Sequence, residues 1–334
     1  MTTLVFAVAF CIVAVLVYMA RYSGRVRVTQ TRVIDAPLAE VRARVVDLRR
    51  WRDRNPWLDN EPDARVVCSA VADAARSSCV WTSAGVDAGS VEHLRIREGG
   101  RIEQRIRLRQ PFPVRGRADW ELTDCADGTR VTWSLRGRVA FSMRAFAQTV
   151  QGAVALDFRY GLDRLAGLVE GADAPRYSLA YPGLRQVDAV RYAYIAHRGP
   201  IDGLGEAVRR AVVEIRAALT SQGVAAAGEP IAVYLKTFVK QRTTECRLGI
   251  PIGAADVEGL AVASLPAHRA FVACLHGSRS QLEVAWYLAM QRLRFAGLEP
   301  DLRITPFERY LDDRDPGRGN DNVIELCIPV RPAT

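Results

Sequence analysis

The sequence is poor in lysine, although it is strongly basic. Only two of its 46 basic residues are lysines, Lys236 and Lys240, and the formal net charge is +9. The arginines are spread along the whole chain, and no basic run is interleaved with aromatic residues as in nucleic-acid-binding segments. No helix-turn-helix segment remains once the domains below are assigned. The sequence therefore predicts no nucleic-acid partner.

Cysteine and histidine patterns typical of metal sites are also missing. The seven cysteines are widely spaced, no CxxC pair occurs, and the four histidines complete no ligand spacing with them. No nucleophile–base pair or cofactor motif is present either. We therefore expect neither a metal nor a cofactor. Most of the cysteines are predicted to be buried small apolar residues in a reducing compartment.

Only one long apolar run occurs, from Leu4 to Ala20. Its length, roughly 17 residues, is at the lower limit for a helix that crosses a bilayer. A cleaved signal peptide is the alternative, but it would carry a basic residue before the run, so an uncleaved anchor over residues 1–23 is favoured. Arg21 and Arg25 follow the run, and positive flanks stay in the cytoplasm. The sequence predicts a single-pass inner-membrane protein whose soluble domains face the cytoplasm.

Residues 24–171 have the alternation and the turns of a small α+β domain. Val26 and Val28 begin a half-buried strand, and Asp35 is placed to cap a helix with Val41 and Val45 on one face. Six strands with hairpin turn signals follow, and a long amphipathic helix closes the domain. The predicted strands are 64–71, 77–82, 90–97, 101–108, 115–124 and 129–139, and the predicted helix is 142–170. The expected architecture is a curved sheet that grips one long helix.

The same region resembles the START-like (SRPBCC) superfamily, which includes polyketide cyclases. The resemblance rests on Val33-Ile34-Asp35-Ala36-Pro37, Asn55-Pro56-Trp57, Trp120-Glu121-Leu122, Gly128-Thr129-Arg130-Val131-Thr132-Trp133 and Asp157-Phe158. It implies a helix-grip fold around an apolar cavity for hydrophobic ligands, and it transfers no catalytic set to this chain. The predicted cavity residues are Trp81, Trp120, Trp133 and Phe158. Ordinary core packing is the alternative for these side chains.

The last part of the chain contains an internal repeat. Residues 172–184 are predicted to be a linker because they hold proline and glycine and few element signals. Residues 185–334 fall into two halves in which His197 corresponds to His276, Tyr234 to Tyr310 and Pro251 to Pro329. Each half is predicted to contain a strand, a helix that ends at a glycine (Gly223 or Gly297), and two further strands. The sequence thus predicts a duplicated β-α-β-β domain.

The repeat also singles out one carboxylate. Glu308 in the second half falls opposite Ala232 in the first half, so the fold itself does not require a glutamate there. Tyr310 shares the strand face of Glu308, whereas Phe307 is expected to point to the core. We predict a ligand-binding site made by Glu308, Tyr310, Tyr234 and Trp286. The alternative is a structural glutamate that is solvated or paired with an arginine.

Residues 185–331 resemble the GyrI-like effector-binding family, which also occurs at the end of drug-responsive transcription regulators. The supporting residues are Arg198-Gly199-Pro200, Pro230-Ile231-Ala232-Val233-Tyr234, His276-Gly277, Phe307-Glu308-Arg309-Tyr310-Leu311 and Ile328-Pro329-Val330. The resemblance implies that Glu308 faces a groove between the repeats and meets cationic, planar or amphipathic ligands. This chain departs from the regulators because no DNA-binding domain is predicted within the sequence.

These patterns favour a small-molecule binding protein over two alternatives. A carboxylate among aromatic rings attracts organic cations, since the rings add apolar contact and cation–π attraction. The first alternative is a hydrolase or cyclase of hydrophobic molecules in which Glu308, with a pKa raised by burial, is the general acid or base. The second is a structural or protein-binding role. The predicted ligands are hydrophobic or cationic small molecules.

Overall fold

The computed structural model describes residues 17–55, 58, 64–82, 88–109, 113–170, 178–238, 241–311 and 322–331. The chain divides into two compact units, Met1–Ala174 and Pro175–Thr334. Each unit contains one antiparallel sheet and its own helices. The predicted α+β class is therefore confirmed.

The N-terminal transmembrane helix in the predicted fold class is wrong for this structure. Residues 17–20 are helical. Among the described residues, no helix is both long enough and apolar enough to cross a bilayer. Residues 1–16 of the predicted anchor lie outside the described residues. The predicted location of the two domains stays a prediction.

Besides the helical residues 17–20, the described part of the first unit contains seven strands and three α-helices. The strands are β1 (Arg25–Ile34), β2 (Arg65–Cys68), β3 (Ser78–Thr82), β4 (Ala88–Ile96), β5 (Arg101–Leu108), β6 (Val114–Cys125) and β7 (Gly128–Val139). The helices are α1 (Leu38–Val46), α2 (Trp51–Arg54) and α3 (Ala147–Val169). The strands pair in the order β1-β7-β6-β5-β4-β3-β2. The predicted strands are present, and the predicted final helix begins with a 3₁₀ turn, Phe141–Phe146.

The core of the first unit lies between the inner face of this sheet and helix α3. Strand alternation places Val26 and Val28 of β1 inside, because successive side chains of a strand point to opposite faces. Helix α3 buries Val150, Val154 and Phe158 at helical spacing against the same core. Sequence periodicity alone therefore predicts which faces of these elements are buried.

Two cysteines of the first unit form a disulfide, which the sequence analysis did not predict. Cys68 of β2 lies directly opposite Cys79 of β3, and the two are bonded. Cys246, Cys274 and Cys327 are buried, as predicted, whereas Cys125 is half-buried. Cys11 lies outside the described residues. Register across the strands, rather than spacing along the chain, brings Cys68 and Cys79 together.

The described part of the second unit contains eight strands and two α-helices. The strands are β8 (Ser178–Val187), β9 (Val190–Pro200), β10 (Ile231–Phe238), β11 (Thr243–Pro251), β12 (Ala261–Leu265), β13 (His268–Gly277), β14 (Phe307–Tyr310) and β15 (Asn322–Pro329). The helices are α4 (Leu204–Ser221) and α5 (Leu282–Phe295). The strands form one sheet in the order β12-β9-β11-β10-β14-β15-β13-β8. Each copy contains the predicted β-α-β-β order.

Each copy also begins with an extra strand that pairs with the other copy. Strand β8 precedes β9 in the chain but pairs with β13, and β12 precedes β13 but pairs with β9. The predicted linker over residues 172–184 is therefore wrong for residues 178–184, which are part of β8. Tyr181, Pro182 and Gly183 indicated a loop, but long-range pairing with β13 holds this segment in a strand.

The two helices of the second unit end as the sequence predicts. Gly223 follows α4 with φ +65°, and Gly297 follows α5 with φ +67°. This left-handed conformation is strained for any residue with a Cβ atom, so glycine stops each helix. Helix α4 buries Val208, Val212 and Ile215 in the larger of the unit's two hydrophobic clusters.

Candidate ligand-binding site

Glu308 lies at the centre of the second sheet, where the two copies of the repeat meet. Strand β14 of the second copy pairs with β10 of the first, and this register places Glu308 directly opposite Ala232. The two residues that correspond in the repeat are therefore neighbours in space. Phe307 packs in the smaller hydrophobic cluster together with Ile231 and Val233, whereas Tyr310 packs in the larger cluster with Ala232. The prediction that Glu308 and Tyr310 share one face and Phe307 the other is confirmed.

Three aromatic side chains donate hydrogen bonds to the Glu308 carboxylate. The Tyr234 hydroxyl and the Trp286 indole Nε1 both donate to Oε1, at 2.8 and 2.7 Å. The Tyr310 hydroxyl donates to Oε2 at 2.6 Å. Glu308 itself is fully buried. The structure thus brings together all four residues of the predicted site, and their role in ligand binding stays a prediction.

Burial dominates the electrostatics of this carboxylate. It raises the pKa of Glu308 above its ordinary value of 4.5, while hydrogen bonds from Tyr310, Trp286 and Tyr234 and the charge of Arg279 oppose the shift. Burial and the Glu308 charge raise the pKa of Tyr234 and of Tyr310 well above 10. The two hydroxyls therefore stay protonated, and they remain hydrogen-bond donors to the carboxylate.

The donors differ in how far they are covered. Tyr310 is buried, whereas Tyr234 and Trp286 are half-buried, and their rings meet edge to face with centroids 5.8 Å apart. Part of the surface of these two residues is therefore exposed next to the buried carboxylate. Aromatic side chains of this kind supply apolar area, a negative ring face and a polar tip in one group.

A cation of the protein already lies beside the carboxylate. The guanidinium carbon of Arg279 is 4.9 Å from the centroid of the Tyr310 ring, and its charge lowers the pKa of Glu308. Arg279 belongs to a short 3₁₀ turn, Arg279–Gln281, that leads into α5. Sequence analysis missed Arg279 because no local pattern marks it. Only the fold of the turn brings it to Glu308.

Cys246 completes the surroundings of Glu308, and it also was not predicted. It lies on β11 opposite Tyr234, and burial together with the Glu308 charge raises its pKa to about 12. The thiol is therefore neutral and a poor nucleophile at physiological pH. Among the described residues, no group of three or more histidine, cysteine, aspartate or glutamate side chains could hold a metal ion.

The four aromatic residues predicted to line a cavity in the first unit pack in one core. Trp81, Trp120, Trp133 and Phe158 are each at most 1% exposed. The Trp133 ring stacks on Trp120 at 4.3 Å and on Phe158 at 3.7 Å between centroids. This mutual stacking is what core packing requires, and a role in ligand binding stays a prediction for these residues.

A buried polar chain beside this stack was not predicted. The Trp120 Nε1 donates to Gln104 Oε1 at 2.9 Å, Gln104 Nε2 lies 3.4 Å from His93 Nδ1, and His93 Nε2 lies 2.8 Å from the Val46 carbonyl. Burial lowers the pKa of His93 to about 4, so the ring is neutral at pH 7. Gln104 stands between Ile102 and Ile106 on the inner face of β5. A polar residue at an apolar position of the alternation was the signal available in the sequence.

Arg54 is buried next to the same aromatic residues. It donates to the carbonyls of Arg44 and Val45 at 2.6 and 2.8 Å, near the carboxyl end of α1. Its guanidinium carbon lies 5.2 Å from the Trp51 ring centroid and 6.0 Å from that of Trp120. Burial lowers the pKa of Arg54 to about 10. Because carbonyls at a helix C-terminus favour a cation, Arg54 has a structural task there.

The family comparison agrees with the resemblance predicted for the first unit. Residues 25–170 match the model of a family described as polyketide cyclase / dehydrase and lipid transport. This segment is therefore similar to that family. No curated protein matches the chain.

Several solved structures are similar to parts of the chain at low identity. The C-terminal domain of EcmrR is 16% identical over 47% of this chain and 99% of that chain, with a TM-score of 0.38. SAV2435 bound to tetraphenylphosphonium is 14% identical over 46% of this chain and 94% of that chain, with a TM-score of 0.37. CV1439 from Chromobacterium violaceum is 18% identical over 43% of this chain and 97% of that chain, with a TM-score of 0.34.

Proposed function

We propose that the second unit binds organic cations with planar or aromatic groups, and that Glu308 is their counter-ion. The observation that carries the proposal is a fully buried carboxylate held by the half-buried rings of Tyr234 and Trp286. A ligand that reaches these rings contacts apolar surface first and a negative charge behind it. Each cation–π contact of this kind contributes about 0.5 to 2 kcal/mol.

The energetic cost of Glu308 supports a ligand-directed role. Burying a carboxylate is unfavourable unless hydrogen bonds and an opposite charge compensate for the lost hydration. The fold does not require this group, because the corresponding residue of the first copy is Ala232, which is equally buried. Because this position is alanine in one copy and an energetically unfavourable carboxylate in the other, we infer that the charge of Glu308 has a function other than folding.

Arg279 indicates the chemistry that this site accepts. Its planar cation lies over the Tyr310 ring at 4.9 Å, the geometry that an aromatic or amidinium-type cation would adopt. A bound cation would supplement or replace this charge next to Glu308. We therefore favour planar or arene-bearing cations over compact ammonium ions, which keep their hydration more strongly.

A hydrolase or cyclase is the second candidate function. The raised pKa of Glu308 and the neighbouring hydroxyls of Tyr234 and Tyr310 would suit a general acid that acts with a tyrosine-oriented water. Ligand binding is favoured over catalysis because Tyr234, Trp286 and Tyr310 all donate hydrogen bonds to the Glu308 carboxylate, and these bonds stabilise its charged form. Turnover of a bound ligand, detected by mass spectrometry, would favour the enzyme.

Two aromatic probes, one cationic and one neutral, test the proposal. Tetraphenylphosphonium, the molecule bound to SAV2435, is a lipophilic cation with aromatic groups, and triphenylphosphine oxide is a neutral aromatic relative. Isothermal titration of the full chain should detect the cation and show at least about tenfold weaker binding of the neutral compound, since about 1.4 kcal/mol of charge interaction is lost. Equal affinity for the two probes would contradict the proposal.

A further inference from the structure

The outer face of the first sheet carries a cluster of six arginines. Two come from each of three neighbouring strands: Arg25 and Arg27 of β1, Arg136 and Arg138 of β7, and Arg115 and Arg117 of β6. All six are exposed. We call this cluster the six-arginine patch.

Strand register makes the patch a regular array. Arg25 lies opposite Arg138, which lies opposite Arg115, and a second row joins Arg27, Arg136 and Arg117 in the same way. Neighbouring strands are about 5 Å apart, and alternate residues of one strand are about 7 Å apart. The six Cα atoms therefore cover about 10 by 7 Å, and the two rows continue onto β5 with Arg107 opposite Arg115 and Arg105 opposite Arg117. Like charges directly opposite one another destabilise a sheet, so the array costs the fold free energy.

A depression of about 480 Å³ lies between the two rows. Its floor contains Val26, Gly137 and Gly116, which lie side by side on the three strands. A Cβ atom at Gly116 would lie 2.7 Å from the Arg136 carbonyl oxygen, and one at Gly137 would lie 2.8 Å from the Arg115 carbonyl oxygen. Only glycine permits this close approach of β6 and β7. The volume is within the range of sites for small molecules.

The patch differs from the rest of the same sheet. Elsewhere in the sheet, three arginines on its strands or just after one pair with acids: Arg105 with Glu92 at 2.7 Å, Arg97 with Glu103 at 3.5 Å, and Arg101 with Glu121 at 3.7 Å. Within the described residues, one of the six arginines of the patch forms an ion pair: Arg136 pairs with Asp119 at 3.6 Å. What sets the patch apart is that its arginines lie directly opposite one another across neighbouring strands rather than opposite acids.

We propose that the six-arginine patch is a binding site for a compact anion with several phosphate groups, such as an oligophosphate or a nucleoside polyphosphate. Guanidinium groups present fixed N–H donors that match phosphate oxygens, often in pairs. Six of them around one depression neutralise several phosphate charges at once. The site lies within the first unit and is separate from Glu308, so it is a second binding function.

The dimensions of the patch favour a compact anion over a polymer or a membrane. Even with Arg105 and Arg107 of β5 included, the array spans about 15 by 7 Å around one depression, and Arg105 is already paired with Glu92. A DNA duplex presents phosphates along its whole length, and a bilayer presents an extended plane, so each needs basic residues well beyond one depression. On the same face, Asp119 and Glu121 of β6 follow Arg117 and pair with Arg136 and Arg101, so the run of arginines along this strand ends there.

Inorganic tripolyphosphate is the probe for this site. The test variant is Arg27→Gln, Arg117→Gln and Arg138→Gln, one change in each strand. The matched control is Arg65→Gln, Arg95→Gln and Arg130→Gln, which removes the same charge from exposed positions of the same sheet. Calorimetric titration of the full chain should show at least about tenfold weaker binding of tripolyphosphate by the test variant. The reason is that the variant lacks three guanidinium groups that donate charge-assisted hydrogen bonds to the phosphates. The control should change by less than about twofold, with equal melting temperatures for both variants.

Three results would overturn the proposal. The first is no binding of tripolyphosphate by the parent chain at low salt. The second is an equal loss in both variants, since general charge rather than the array would then attract the anion. The third is patch-dependent binding of a short DNA duplex or of phosphatidylglycerol vesicles that is tighter than the binding of tripolyphosphate. Binding of tripolyphosphate at physiological ionic strength that only the test variant loses would support it.

Discussion

Both units bury polar side chains beside aromatic rings, but the two clusters differ in the charge of their central groups and in the solvent exposure of their aromatic residues. In the first unit, His93, Gln104 and Trp120 form a chain of neutral groups, and the surrounding tryptophans are fully buried. In the second unit, the central group is a carboxylate, and two of its three aromatic partners are half-buried. A closed cluster whose one charge, that of Arg54, is held by backbone carbonyls specifies one packing of a core, whereas a cluster around a carboxylate with half-buried aromatic partners suits a ligand.

The largest difference should appear when an aromatic residue is removed from the first unit. Trp133 is fully buried and stacks on two rings, so Trp133→Ala should lower the free energy of unfolding of this unit by about 3 to 5 kcal/mol. Chemical denaturation followed by tryptophan fluorescence measures the change. A loss below about 1 kcal/mol would instead indicate that Trp133 lines a cavity. The cluster in the first unit would then resemble the one in the second unit, because it too could accept a ligand.

Acid should weaken the first unit through His93. Its pKa falls from an ordinary 6.5 to about 4 on folding, so below pH 6.5 the unfolded chain binds a proton that the folded chain refuses. Stability is therefore lost as the pH falls from about 6.5 to 4, by up to about 3 kcal/mol from this group. His93→Gln keeps a donor for the Val46 carbonyl and should flatten this part of the profile. An unchanged profile in the variant would mean that His93 is not the group responsible.

Removing an aromatic partner of Glu308 should affect binding more than stability. Trp286→Ala removes one hydrogen bond to Glu308 Oε1 and one of the two half-buried rings beside it. Cation affinity should therefore fall by about 1 to 2 kcal/mol, roughly 5- to 30-fold. Trp286→Phe is the matched control, because it keeps a ring and loses only the N–H. If the phenylalanine variant loses as much affinity as the alanine variant, ring contact contributes little.

The second unit should respond to pH in the opposite sense through Glu308. Its pKa is raised above 4.5 by burial, so between 4.5 and the raised value the folded chain keeps a proton that the unfolded chain releases. Stability from this group is lost as the pH rises through that window, by at most about 1.4 kcal/mol per pH unit. Hydrogen exchange in β14 and β15 reports this unit separately. The same slope in Glu308→Gln would assign the effect to other groups.

Sequence reasoning predicted the site in the second unit better than its surroundings. Comparison of the two copies identified Glu308 as a candidate because the equivalent residue of the first copy is Ala232. Strand alternation then predicted that Tyr310 lies on the same face as Glu308. Arg279 and the exchange of β8 and β12 between the copies were not predictable, since both depend on contacts between distant segments. The segment with Pro182 and Gly183 resembled a linker for the same reason: local composition does not reveal pairing with β13.

In the first unit, the elements were predictable and the polar interior was not. Period-two alternation gave the strands, and helical spacing of Val150, Val154 and Phe158 gave the long helix. Whether tryptophans stack on one another or surround a space depends on distances of a few ångströms, which the order of residues does not encode. The pairing of Cys68 with Cys79 depends on strand register in the same way.

The central claim is that the charge of Glu308 serves a ligand and not the fold. Replacing Glu308 with glutamine keeps an acceptor for Tyr234 and Trp286, and the Tyr310 hydroxyl can turn to accept from the new amide. We therefore expect a nearly unchanged melting temperature for Glu308→Gln, or a slightly higher one, since a costly buried charge is removed.

Melting and calorimetric titration of this one variant, with the cationic and neutral aromatic probes, give the most direct measurement. We expect cation affinity to fall by about 1 to 3 kcal/mol, roughly 5- to 150-fold, while the neutral probe binds as before. A lower melting temperature together with unchanged cation affinity would contradict it, because Glu308 would then be a structural carboxylate.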